Sequence, residues 1–126
     1  MPDIDTIMHL FAWNNSEEEQ AEGLKQAREV KCISAFFQPL NEEFNKNVWD
    51  NCAKTLCERT DSELKRYLLH MFEWLQDLNW PGAVLILERL RLYKREIYFE
   101  AVLRSCKDTA RATDDTVWLE NLNELD

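Results

Sequence analysis

Apolar residues recur at helical spacing along nearly the whole chain, separated by short polar breaks. Ile4, Ile7, Met8, Phe11 and Ala12 predict a first helix over 4–13. Trp13-Asn14-Asn15-Ser16 is a break. Ser16 followed by Glu19 is a capping-box pattern, with Glu17 and Glu18 well placed in the first turn of a second helix over about 17–30. Its stripe is Ala21, Leu24, Ala27, Arg28 and Val30. Gly23 lies inside it, where it costs ~1 kcal/mol against Ala. Cys32–Phe37 is a compact apolar run that either continues this helix or forms a short one of its own, and Pro39 stops it. The stretch 40–47 is polar except for Leu40 and Phe44 and reads as a loop.

Val48, Trp49, Cys52, Ala53, Leu56 and Cys57 form the next helical face, ending near Arg59. Thr60 or Asp61 then caps a central helix over 61–78, whose stripe runs Leu64, Tyr67, Leu68, Met71, Trp74 or Leu75, and Leu78. Trp80-Pro81 marks the following break. Proline at a first helical position loses no hydrogen bond, and it pushes the residue before it out of helical geometry. A helix is therefore expected from Pro81 to 93. Ala83, Val84, Ile86, Leu87 and Leu90 make it apolar on more than one face, so it is expected to be the most buried helix. Lys94-Arg95-Glu96 is a charged interruption. Ile97, Tyr98, Ala101, Val102, Ser105 and Cys106 predict a further helix to about 111, Thr113-Asp114-Asp115 a cap-rich turn, and Val117, Trp118, Leu119, Leu122 and Leu125 a last amphipathic helix.

Two glycines and three prolines in 126 residues leave little turn chemistry for a β-rich fold. The expected fold is all-α, one domain over 1–126, built as antiparallel helical hairpins in a HEAT-like α-solenoid stack. Helix, short Asp/Asn turn, helix recurs, but with no constant spacing, so an irregular helical bundle is the alternative.

The net charge of −9 disfavours nucleic acid as a partner. Residues 1–22 carry −6 and residues 114–126 carry −5, with +3 over 91–113 between them. No run approaches the roughly 20 apolar residues that span a bilayer, and the acidic start Met1-Pro2-Asp3-Ile4-Asp5 does not resemble a secretory signal. Cys32, Cys52, Cys57 and Cys106 show no C-x-x-C spacing and read as reduced thiols in a cytoplasmic protein.

Few residues suggest chemistry. His9 and His70 are too few for most histidine metal sites, and no cofactor or metal is expected. Glu73 and Asp77 stand i, i+4, so their carboxylates converge if one helix holds both. The simpler reading is a solvated Glu73 and an Asp77 that caps the turn. Trp49, Trp74 and Trp118 sit on apolar stripes, whereas Trp13 and Trp80 sit at breaks and are candidates for exposure, where tryptophan makes a good interface anchor.

The strings Asn51-Cys52-Ala53-Lys54-Thr55-Leu56, Glu63-Leu64-Lys65-Arg66-Tyr67-Leu68 and Glu73-Trp74-Leu75-Gln76-Asp77-Leu78-Asn79-Trp80-Pro81-Gly82-Ala83 resemble a bacterial family of small helical proteins, the domain-of-unknown-function family 5071. The resemblance covers about 46–92, and its most specific part is E-W-L-Q-D-x-N-W-P. It implies an all-helical cytosolic bacterial protein. The family has no assigned catalytic residues, so none carries over.

The expected function is a non-enzymatic protein–protein interaction module, in its sharper form an immunity-type inhibitor of a basic bacterial toxin. Its candidate binding residues are the acidic Glu17, Glu18, Glu19, Glu22, Asp114, Asp115 and Glu120, with Glu73, Asp77 and Trp80 at the aromatic break. The alternative is a small-molecule-binding protein or enzyme with its site at the Trp74–Trp80 junction.

Overall fold

A computed structural model describes residues 3–126; Met1 and Pro2, the start of the acidic N-terminal run, lie outside the described residues. The described residues are all-α, with no strand among them. They form two compact units, 1–58 and 59–126.

The first unit begins with α1 (Ile4–Phe11) and α2 (Glu17–Ala27), which pack against each other as a hairpin. Asp3 caps α1, and Ser16 and Glu19 complete the expected capping box on α2. Gly23 has a packing reason to interrupt the α2 pattern. A Cβ there would stand 2.9 Å from Leu10 Cβ and 2.9 Å from a Phe11 ring carbon, so only glycine lets the helices approach this closely. Ile33–Phe36 forms a 3-10 turn of its own, and Lys46–Val48 another that leads into α3 (Trp49–Cys57). Ile7, Phe11, Phe36, Val48, Trp49, Cys52 and Leu56 are all buried.

The second unit opens on α4 (Asp61–Leu64), capped by a Thr60–Glu63 capping box. The expected continuous helix over 61–78 is not found. A 3-10 turn, Lys65–Tyr67, separates α4 from α5 (Leu68–Trp74), and helical geometry stops at Leu75. The two helix types differ only in whether the third or the fourth carbonyl back accepts each N–H. Leu64, Leu68 and Met71 stay buried through the change, so an apolar stripe does not reveal it.

Pro81 is not the first residue of a helix either. The Ala83 N–H donates to the Trp80 carbonyl at 3.1 Å, and Gly82 sits at φ 82, ψ −13. Proline followed by a left-handed glycine is the arrangement of a type II turn, and α6 (Ala83–Leu92) starts only after it.

Nor is α6 buried on several faces. Ala83, Ile86, Leu87 and Leu90 face inward, but Val84 and Leu85 are exposed and Leu92 is 78% exposed. Lys94-Arg95-Glu96 does break the helix, and α7 (Ile97–Ala112) follows. Its buried stripe is Phe99, Leu103, Cys106 and Ala110, rotated from the expected one. Phe99 sets the rotation: its ring meets Phe72 edge-on at 5.3 Å and stacks on Tyr93 at 5.1 Å. Ile97 is left 88% exposed. A tight turn at Thr113–Asp115 leads to α8 (Thr116–Asn123), which packs on α7.

No helix among the described residues is long and apolar enough to cross a membrane.

Candidate functional site

The aromatic break is held together by side chains that serve the backbone. The Phe72 carbonyl, in the last turn of α5, accepts the Leu75 N–H at 3.1 Å. Two side chains of α8 bond the backbone here as well: Trp118 Nε1 donates to the Phe72 carbonyl at 2.9 Å, and Asn121 Nδ2 to the Leu75 carbonyl, just past α5, at 2.7 Å. Trp74, fully buried, donates its indole N–H to the Pro81 carbonyl at 3.1 Å and so ties the end of α5 to the type II turn. Trp80 is half-buried beside it.

Glu73 and Asp77 do not share a helix, because α5 ends at Trp74. Glu73 lies 3.3 Å from His70. Asp77 accepts the Asn79 N–H at 2.8 Å, which is a turn-capping role. The two carboxylates that the spacing brought together therefore act separately. Among the described residues no group of three His, Cys, Asp or Glu side chains gathers closely enough to hold a metal ion. The Cys52 thiol is buried and pushed far above its ordinary range, and burial with the nearby Glu73 pushes Cys106 up to about 11. Neither is an activated nucleophile, since the thiolate is the reactive form.

The remaining acidic candidates fall into two groups in different units. Glu17, Glu18, Glu19 and Glu22 are exposed on α2 in the first unit. Glu19 is engaged in the capping box and Glu22 accepts from Gln26, while among the described residues no cation lies within ion-pair distance of Glu17, Glu18 or Glu22. Asp114, Asp115 and Glu120 belong to the second unit. Asp114 holds a left-handed backbone at φ 56, Asp115 caps α8 by accepting the Trp118 N–H at 3.0 Å, and Glu120 is exposed.

A family model described as a domain of unknown function (DUF5071) matches residues 45–124, more than half of the chain. The chain belongs to that family. No curated protein matches it, and no solved structure matches it. In this DUF5071 chain the strings that carried the resemblance are structural. Trp74, Pro81 and Gly82 build the break. Asn51 and Thr55, on α3, are polar but buried.

Asn51 was not legible as a structural residue. It sits beside the apolar positions of α3, where a polar side chain reads as solvent-facing. It is 2% exposed, and its Nδ2 donates to the Phe11 carbonyl at 2.7 Å and to Gln20 Oε1 at 2.9 Å. It thereby supplies an orphan carbonyl at the end of α1 and grips α2 at once. Gln20 passes the network on, donating to the Asn15 carbonyl at 2.9 Å. The Asn51 Oδ1 is buried without a protein partner. The α1–α2 turn is thus fixed by an amide pair, the buried Asn51 and the half-buried Gln20.

Proposed function

We propose that this protein is a non-enzymatic interaction module whose partner is a basic protein, in the sharper form an immunity-type inhibitor of a bacterial toxin acting in the cytoplasm. One observation carries the reading. The first unit holds eleven acidic and five basic residues, net −6. Glu17, Glu18, Glu22, Glu29, Glu42 and Asp50 have no cation within ion-pair distance among the described residues. Carboxylates with no ion-pair partner in the fold keep their field for a partner, where complementary charge raises the association rate. A HEAT-like stacking of the helical hairpins is part of the proposal, since stacked hairpins present an extended surface to another protein.

The test begins with a partner, sought by pull-down from the native bacterium and among the products of adjacent genes. Association is then followed over a range of salt. Under this reading, Glu17→Gln, Glu18→Gln and Glu22→Gln together slow association and flatten its salt dependence, with dissociation changed less. A small-molecule substrate turned over by the purified protein would sink the reading.

A further inference from the structure

Three of the five tryptophans are buried and donate the indole N–H to a backbone carbonyl: Trp49 to Pro39, Trp74 to Pro81 and Trp118 to Phe72. Trp13 is the opposite case. Its side chain is 58% exposed, and no acceptor among the described residues meets its indole N–H. Its backbone, however, is fixed. The Trp13 N–H donates to the Asn47 carbonyl at 3.0 Å, and Gln20 Nε2 reaches the Trp13 carbonyl at 3.5 Å. Gln20 in turn is held by the buried Asn51. An exposed aromatic ring on an immobilised backbone loses little freedom on binding, which favours it as an interface anchor.

The surroundings specify the partner. The hydrogen bonds of Trp13 join two segments, the start of α2 and the 3-10 turn Lys46–Val48. Glu17 and Glu18 are exposed on the first. Neither has a cation within ion-pair distance among the described residues. We infer that Trp13 anchors the binding surface of the first unit and receives an arginine side chain of a basic protein partner. The guanidinium lies on the indole face, and Glu17 and Glu18 supply the surrounding negative potential. Arginine fits better than lysine because its planar, weakly hydrated cation stacks on a ring while its N–H groups remain free for carboxylates. The inference rests on the basic-partner reading above and adds to it the anchor and the side chain it takes.

Hexa-arginine and hexa-lysine peptides separate the two ideas. Each is titrated at low salt into protein labelled with nitrogen-15, following the indole N–H signals, with that of Trp13 assigned from Trp13→Phe. The expected result is that hexa-arginine moves the Trp13 signal and that hexa-lysine binds about three- to fivefold more weakly. Trp13→Ala abolishes this preference while leaving salt-dependent binding in place. Equal affinity for the two peptides, or binding that leaves the Trp13 signal unmoved, overturns the anchor and leaves the basic-partner reading standing. Failure of both peptides to bind at low salt overturns the reading and the anchor together.

Discussion

The two compact units handle charge differently. The second holds thirteen acidic and ten basic residues, net −3, and pairs most of them. Arg59 meets Glu63, Lys65 meets Glu96, Arg91 meets Glu88 and Glu124, Lys107 meets Asp126, and Arg111 meets Asp108. Arg95 joins Glu100, lies over the Phe99 ring at 4.9 Å and donates to the Leu125 carbonyl. Arg89 bonds Asp61 and also the Arg59 carbonyl at 3.0 Å. In the first unit, Arg28–Glu58 and the exposed His9–Glu43 contact are the ion pairs found among the described residues. What connects its segments is instead an amide network through Asn51 and Gln20. Charge in the second unit is therefore largely paired, and Lys65–Glu96, Arg89–Asp61, Arg91–Glu124 and Lys107–Asp126 join segments remote in sequence, whereas charge in the first mostly faces water. A net charge summed over a segment does not distinguish these uses. The 114–126 run looked as acidic as 1–22, yet Asp115 caps a helix while Glu124 and Asp126 pair with cations.

The largest expected effect falls on the aromatic clamp of the second unit. Trp118→Ala removes a buried ring and the donor to the Phe72 carbonyl and should cost about 3–5 kcal/mol in urea unfolding. Trp118→Phe isolates the hydrogen bond and should cost about 1–2 kcal/mol. Equal losses for both would mean that the indole N–H, and not the ring, holds the end of α5.

The corresponding change in the first unit is Asn51→Ala. It strips the donor from the Phe11 carbonyl and from Gln20, both within a partly buried network, and should cost about 1–3 kcal/mol. A loss indistinguishable from zero would show that the amide network does not join the segments. Gly23→Ala tests the same unit from its backbone. Helix propensity favours alanine by about 1 kcal/mol, but overpacking costs about 1–3 kcal/mol. Because the obstruction includes the Leu10 Cβ, which no rotamer moves aside, the net effect should be destabilising. A stabilised variant would mean that α1 can withdraw freely from α2.

Asp61 sharpens the contrast through pH. Burial alone would raise its pKa, but the Lys94 N–H at 2.9 Å and the Arg89 guanidinium together hold its carboxyl below the ordinary range. A depressed carboxyl contributes stability above its unfolded value and loses it as pH falls through its folded one. Asp61→Asn should therefore cost about 1–2 kcal/mol near neutral pH. Its difference from wild type should shrink below the usual carboxylate range, about pH 4. Glu63 and Glu100 are lowered as well, chiefly by bonds from the Thr60 backbone and from Arg95, so acid weakens this unit at several points. Glu18→Gln in the first unit is the control with the smallest effect, within about 0.5 kcal/mol apart from a helix-dipole contribution.

The presence of most helices, the Ser16 capping box and the break after α1 were determined by the sequence alone, whereas the 3-10 turn at Lys65–Tyr67 and the early end of α5 were not. The Ser16 cap and the burial of Trp49, Trp74 and Trp118 follow from local chemistry and periodicity, which act over a few residues, while the choice of Thr60 over Asp61 as cap and the break at Lys94–Glu96 were read only from the structure. Tertiary structure decided the rest. It selected the face of α7 through the contacts of Phe99 with two other rings and left part of apolar α6 in water. The Pro81-Gly82 turn itself is local chemistry that the helix expectation passed over. Tertiary structure also buried Asn51, because only the folded arrangement brings the Phe11 carbonyl and Gln20, remote in sequence, to its amide. Among the candidate site residues, sequence located the carboxylates, but only the fold separated those bonded within it from those left facing solvent. An ion pair depends on what stands opposite in space, and the order of residues along the chain does not contain that.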